Sequence, residues 1–187
     1  MSEEIHVCPP WVGRLMINPV RKLVQNPQKI LSGYIQPGMN VLEVGPGMGY
    51  FTIPMAKMLH PGGKIVCVDV QEKMLNVLKS RAAKANTNGT VETVLASVNS
   101  LNVQHWKEKI DFALLFAVVH EVPDQKMLFN EVFNCMKPGG VVLFAEPKGH
   151  VNDKMFQTSI NIAESMGFNK VNTKPISGSQ VVELLKI

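Results

Sequence analysis

Gly45, Gly47 and Gly49 stand two apart directly after the apolar run Val41-Leu42-Glu43-Val44, with the acid Glu43 two positions ahead of the first glycine. Glycine lets a backbone turn with positive φ and lie close to a ligand where a side chain would collide. Asp69 ends a second apolar run, Ile65-Val66-Cys67-Val68, twenty residues past Gly49. A carboxylate at a strand end is a strong acceptor for paired hydroxyl groups. His120 and Glu121 follow a third run, residues 112–119, and Glu146 follows a fourth, residues 141–145. Histidine titrates near neutrality, so His120 is the residue best suited to take a proton from an attacking oxygen. Its plainer reading is a structural hydrogen-bonder. Glu121 and Glu146 either orient an acceptor or cap loops, and His150 and Tyr34 are weaker acid–base candidates.

Such groups must be brought together by strand ends and the loops that follow them. Residues 50–59 carry apolar side chains at helical spacing and end at His60-Pro61-Gly62-Gly63, which predicts a helix starting near Gly49 or Tyr50. Strand, glycine turn and helix in that order make a nucleotide-type site. A dinucleotide fingerprint has its third glycine five positions after the first, and Tyr50 stands there instead. No Gly-Lys-Ser/Thr follows, so the phosphate loop of an NTPase is absent.

From Val41 onward, strand-like and helix-like stretches alternate, the pattern of a parallel sheet covered on both faces. A helix is expected over residues 71–85, with Met74, Leu75, Leu78, Ala82 and Ala85 on one stripe. Strands are expected at 91–95, 110–116 and 141–145, the last two separated by a helix that buries Leu128, Val132, Cys135 and Met136. A further helix spans 152–166 and stops at Gly167, and residues 168–173 and 181–186 pair as an antiparallel hairpin. Upstream, Asn18-Pro19 and Asn26-Pro27 each join an N-cap residue to a proline in the first helical position, so two short helices precede the sheet.

This constellation resembles the class I S-adenosylmethionine-dependent methyltransferases. Glu43-x-Gly45-x-Gly47-x-Gly49 is similar to their motif I, Lys64-Ile65-Val66-Cys67-Val68-Asp69 to their second strand with its terminal acid, and residues 110–124 to their fourth strand and following loop. Met136-Lys137-Pro138-Gly139-Gly140 resembles the family's turn into strand five. The likeness covers about residues 26–186 and includes quinone-biosynthesis-like carbon methylases among small-molecule enzymes. It implies a three-layer, Rossmann-like α/β fold whose mostly parallel seven-stranded sheet has an antiparallel final strand. One domain then covers residues 1–187, with residues 1–36 as a helical cap or lid that includes Trp11, Leu15 and Met16.

The same resemblance implies S-adenosylmethionine as cofactor. Gly45, Gly47 and Gly49 would approach its methionine and ribose parts, Glu43 would anchor the loop or the ammonium end, and Asp69 would accept the ribose hydroxyls. Val70 would face the adenine, and the strand end at Phe116 and Ala117 would offer a carbonyl to the ammonium group. Many relatives carry an Asp after strand three, whereas this chain has Ala96-Ser97-Val98. Ser97, with Val98 beside it, replaces a charged adenine contact with a neutral one. Sulfonium methyl transfer is an in-line displacement that needs alignment rather than a covalent enzyme intermediate. His120 is the catalytic candidate, the partner is a small or medium-sized acceptor, and the atom methylated stays open. Three alternatives remain: a non-catalytic sensor or partner-binding module, an RNA methyltransferase, and an NAD-dependent oxidoreductase, which Tyr50 disfavours.

Composition narrows the alternatives further. A hydrophobic content of 45% with 18% charged residues fits a soluble globular domain of 187 residues. The longest apolar run is well short of the roughly 20 residues that a spanning helix needs, and no basic-then-apolar leader stands at the N-terminus, so a cytoplasmic protein without membrane partners is expected. A net charge of +4 with 6% aromatics lacks the dense basic stripe of a nucleic-acid binder. Cys8, Cys67 and Cys135 have no zinc spacing and fall on unrelated elements, so no metal is expected, a three-thiol site for a soft metalloid being the sharper alternative.

Overall fold

The computed structural model describes residues 24–171 and 173–187. The expected helix at Asn18-Pro19, the lid residues Trp11, Leu15 and Met16, and Cys8 lie outside the described residues. Helix α1 is Pro27–Leu31, and Asn26 caps it as its sequence dictates, its side-chain oxygen accepting from the Gln28 and Lys29 amides. Strand β1, Asn40–Val44, then runs into the glycine loop and α2, Thr52–Met58. That helix starts two residues later than its apolar spacing predicts. Tyr50 and Phe51 instead belong to the turn, and Pro54 falls in the first helical turn, where a missing N–H costs nothing.

Beyond α2 come β2 (Lys64–Asp69), α3 (Glu72–Lys84), β3 (Val91–Leu95) and β4 (Ile110–Phe116). Helix α4 (Gln125–Cys135), β5 (Met136–Pro147), α5 (Asp153–Ser165), β6 (Phe168–Val171) and β7 (Ser179–Lys186) complete the described chain. Strand β5 is longer than its apolar run because Met136-Lys137-Pro138-Gly139-Gly140 is itself extended. Met136 pairs with Ile110 before the register shifts, and a bulge of that kind tolerates the proline.

The sheet order is β3-β2-β1-β4-β5-β7-β6, with β7 antiparallel to both of its neighbours and the other pairings parallel. This is the three-layer α/β arrangement with an inserted antiparallel last strand. Alternating strand residues supply the two cores. Leu42, Val66 and Leu115 pack with Leu128, Phe129, Phe156 and Ile160 of α4 and α5. Val41, Ile65 and Leu114 pack with Leu31, Met55 and Leu78 on the other face. Each such fully buried side chain contributes roughly 1.5–3 kcal/mol. Because β2 and β4 flank β1, strand order reverses there, and a crevice opens at the strands' C-terminal ends.

Candidate functional site

A cavity of about 1060 Å³, its open mouth included, fills that crevice. Gly45, Gly47, Asp69, Val70, Ser97, Val98 and Phe116 all lie on its wall, so the structure brings together seven residues drawn from four loops. Among the described residues, no cluster of His, Cys, Asp and Glu is placed to hold a metal ion, and Cys67 and Cys135 are free and buried.

The three glycines have different physical reasons. All have positive φ: 69° at Gly45, 54° at Gly47 and 84° at Gly49. A β-carbon on Gly45 would stand 2.6 Å from Val118 Cγ2, and one on Gly49 would stand 2.6 Å from Leu78 Cδ1. One on Gly47 would meet no protein atom within 4 Å. Gly47 therefore leaves its space to the cavity, whereas Gly49 serves the packing of α3 and is not on the cavity wall. Arg81 of α3 also donates to the Met48 carbonyl, so that helix braces the loop from behind.

Asp69 faces the loop from the end of β2. Its Oδ1 accepts from the Gln71 amide at 2.9 Å, and the Gly47 and Val70 amides also hydrogen-bond to it. Burial lifts its pKa to about 6, the Gln71 amide opposing the rise and the Glu121 carboxylate adding to it. Ser97 donates its hydroxyl to the Ser100 carbonyl at 3.4 Å, which leaves its oxygen able to accept a hydrogen bond. Ala117, just past β4, has φ 58°, an uncommon conformation for a residue with a β-carbon, and it too lines the cavity.

Glu43 does not reach the cavity. Residues alternate along β1, so its side chain points to the α2 face, where it is 3% exposed. Its Oε2 accepts from Thr52 Oγ1 at 2.5 Å and from Cys67 Sγ at 3.8 Å. Burial raises its pKa to about 7. It braces strand to helix rather than touching a ligand in this crevice.

His120 is not on the cavity wall; it sits in the single turn Val119–Glu121, whose neighbouring residues Val118 and Glu121 are on it. The buried Glu146 carboxylate holds it twice, Oε1 accepting from its backbone N–H at 3.1 Å and Oε2 lying 2.6 Å from Nδ1. Nε2 is 4.0 Å from Glu121 Oε1, and Glu121 is on the cavity wall. The His150 ring stacks on His120 at 6.3 Å between centroids. The hydrogen bond to Glu146 raises the His120 pKa above its ordinary value against a smaller opposing effect of burial.

A family profile described as a methyltransferase domain matches residues 35–184. The chain belongs to this family. Similar curated relatives include the ubiquinone/menaquinone biosynthesis C-methyltransferase UbiE of Pasteurella multocida, 25% identical over 74% of this chain and 52% of that protein. The arsenite methyltransferase of Halobacterium salinarum is 27% identical over 59% of this chain and 27% of that protein. The chain thus spans about half the length, or less, of these two relatives. In fold, it matches a solved SAM-dependent methyltransferase from Aquifex aeolicus, with a TM-score of 0.81, 22% identity, and coverage of 95% and 97% of the two chains.

Within this methyltransferase domain, sequence reasoning found the loop, Asp69 and the strand-end residues but missed parts of the wall. Met74 falls on a predicted core stripe, Leu101 and Met127 belong to no motif, and Val118 and Val122 lie in the fourth-strand motif with no role assigned, although all five line the cavity. The joining of His120 to Glu146 was also missed. Its signal was available, since both residues follow apolar runs that become the neighbouring parallel strands β4 and β5.

Proposed function

We propose that this chain transfers the methyl group of S-adenosylmethionine to a small or medium-sized acceptor. The observation that carries the reading is the pairing of Gly47 with Asp69: open space above a left-handed glycine, next to a carboxylate at the adjacent strand end. Gly45 and Gly47 give the methionine and ribose parts close approach to backbone, and Asp69 accepts from the ribose hydroxyls. Val70 and Val98 offer apolar faces to the adenine, Ser97 a neutral acceptor to its amine, and the Phe116 end of β4 a carbonyl to the ammonium group. When bound, the cofactor supplies a methyl carbon on a sulfonium leaving group. The chain's part is then to align an acceptor and exclude water, an effect worth on the order of 7–11 kcal/mol.

His120 is the acid–base residue of this reading, and its fixed orientation on Glu146 weighs against a purely sensing module. A cytoplasmic setting suits the free buried thiols, and among the described residues no helix is long and apolar enough to cross a membrane. The mild charge disfavours a nucleic-acid acceptor. Thermal-shift measurements test the reading. S-adenosylmethionine and its demethylated product should each raise the melting temperature, while NADH should not, and a shift with NADH alone would contradict it.

A further inference from the structure

We infer that the acceptor of this domain reacts through a hydroxyl oxygen, with His120 Nε2 taking its proton and Glu146 acting as the positioning residue that keeps Nε2 free to do so. The inference rests on the methyltransferase reading above and deepens it, since that reading leaves the attacked atom open.

The geometry of the pair carries the argument. Glu146 is 1% exposed, and both of its carboxylate oxygens are committed to His120, one to the backbone amide at 3.1 Å and one to Nδ1 at 2.6 Å. Anchoring at two points fixes the ring's position and orientation. A buried carboxylate at Nδ1 also selects the tautomer with the proton on Nδ1, which leaves the lone pair on Nε2. Nε2 has no hydrogen-bond partner among the described residues, and the nearest acid, Glu121, stands 4.0 Å away on the wall of the cofactor cavity. The lone pair thus lies on the side of His120 toward Glu121, which is on the wall of the proposed methyl donor's cavity, although His120 itself is not.

A histidine held in this way is needed by some nucleophiles and not by others. A thiol, with an ordinary pKa near 8.5, supplies thiolate without much help, and Glu121 and Glu146 would repel it. A neutral amine attacks through its own lone pair and loses its proton only afterwards. An alcohol or phenol is a poor nucleophile unless its proton is removed as it attacks, and that is what a positioned base supplies, typically 100-fold to 10,000-fold in rate. A phenol ring carbon gains from the same deprotonation, so a C-methyl product overturns the oxygen assignment. In the balanced step, the acceptor O–H proton passes to Nε2 as the new oxygen–carbon bond forms. The carbon–sulfur bond of the sulfonium breaks, its electron pair stays on sulfur, and the neutral thioether departs. The imidazolium left behind is stabilised by Glu146, then returns its proton to water.

The groups facing the ring are Glu146 from β5, Glu121 from its own turn and His150 from the connection between β5 and α5. Glu146 raises the His120 pKa most, so the neutral, competent ring is reached only as pH rises through a value above the ordinary one. Removing that carboxylate should move the ionisation to lower pH.

The test uses imidazole ¹⁵N NMR of the whole chain with S-adenosylmethionine-independent and cofactor-loaded samples, together with Glu146→Gln. The expected spectrum has the neutral His120 proton on Nδ1, a raised ionisation, and in Glu146→Gln a lower ionisation with a mixed tautomer. Methyl transfer from labelled S-adenosylmethionine to catechol, benzylamine and thiophenol is measured alongside. Any product should be the oxygen ether, with kcat lowered at least 100-fold in His120→Ala and in Glu146→Gln, little change in acceptor KM, and the acid limb of the pH profile shifted downward in Glu146→Gln.

A wild-type tautomer with the proton on Nε2, or transfer to benzylamine or thiophenol in preference to catechol, overturns the inference. A wild-type proton on Nε2 overturns the inference even where Glu146→Gln fails to fold or no panel member is methylated. Failure to bind S-adenosylmethionine with the expected tautomer intact instead removes the methyltransferase reading, which keeps the two failures apart.

Discussion

Leu78 of α3 occupies the space that a β-carbon on Gly49 would need, its Cδ1 lying 2.6 Å from that position. The last glycine of the loop is thus fixed by helix packing, and the middle one by the cavity. Gly49→Ala and Gly47→Ala should separate accordingly. Both pay the left-handed backbone cost of about 1–2 kcal/mol, but only Gly49→Ala must also displace Leu78. Chemical denaturation should show Gly49→Ala as the less stable variant, and cofactor titration should show Gly47→Ala as the weaker binder relative to its stability. Equal stability loss in both would remove the distinction.

Glu43 gives a prediction with a defined sign. Its folded pKa of about 7 lies well above the ordinary carboxylic-acid range because burial disfavours the charged form. Folding therefore favours the protonated carboxyl, and the stability it contributes is fully present below the unfolded pKa and is lost as pH rises through about 7. Melting temperatures of the wild type should fall between about pH 4.5 and pH 7, and Glu43→Gln should flatten that dependence. A variant with the same slope as the wild type would show that another group is responsible.

Ala117 holds φ 58° on the cavity wall. Glycine adopts that conformation without the β-carbon clash, though it also gains freedom in the unfolded chain. Ala117→Gly should be neutral to stabilising, by up to about 1 kcal/mol, in urea unfolding. A clear loss of stability would mean that the alanine methyl packs more than its backbone strains.

Much of this arrangement was legible in the residue order, for reasons that particular positions make clear. Strands β3 and β4 occupy the predicted residues 91–95 and 110–116, and Asp69 lies at a strand end because it breaks an apolar run. The stretch Met136-Lys137-Pro138-Gly139-Gly140 has the local pattern of a connection, but its Met136 pairs with Ile110, since strand pairing depends on a neighbour that local pattern does not see. Glu43 looked like a ligand contact because it belongs to the glycine motif, yet the two-residue alternation of β1 turns it toward Thr52. The grip of Glu146 on His120 required knowing that β4 and β5 lie side by side.

Asp69 makes cofactor affinity depend on pH. With burial holding its pKa at about 6, the carboxylate that accepts ribose hydroxyls is progressively neutralised as pH falls through that value. Affinity for S-adenosylmethionine should be constant above about pH 7 and should weaken toward pH 5. Fluorescence or calorimetric titration across that range checks it, and a flat profile would place the ribose elsewhere.

The most direct measurement compares calorimetric titration of S-adenosylmethionine into wild-type protein and Asp69→Asn at pH 7.5. Two charge-assisted hydrogen bonds at about 1.5–3 kcal/mol each imply that the variant should bind at least tenfold more weakly, while melting at no lower a temperature than the wild type. Equal affinity in the two proteins, or no binding to the folded wild type, would contradict the assignment of the crevice between Gly47 and Asp69 to the methyl donor.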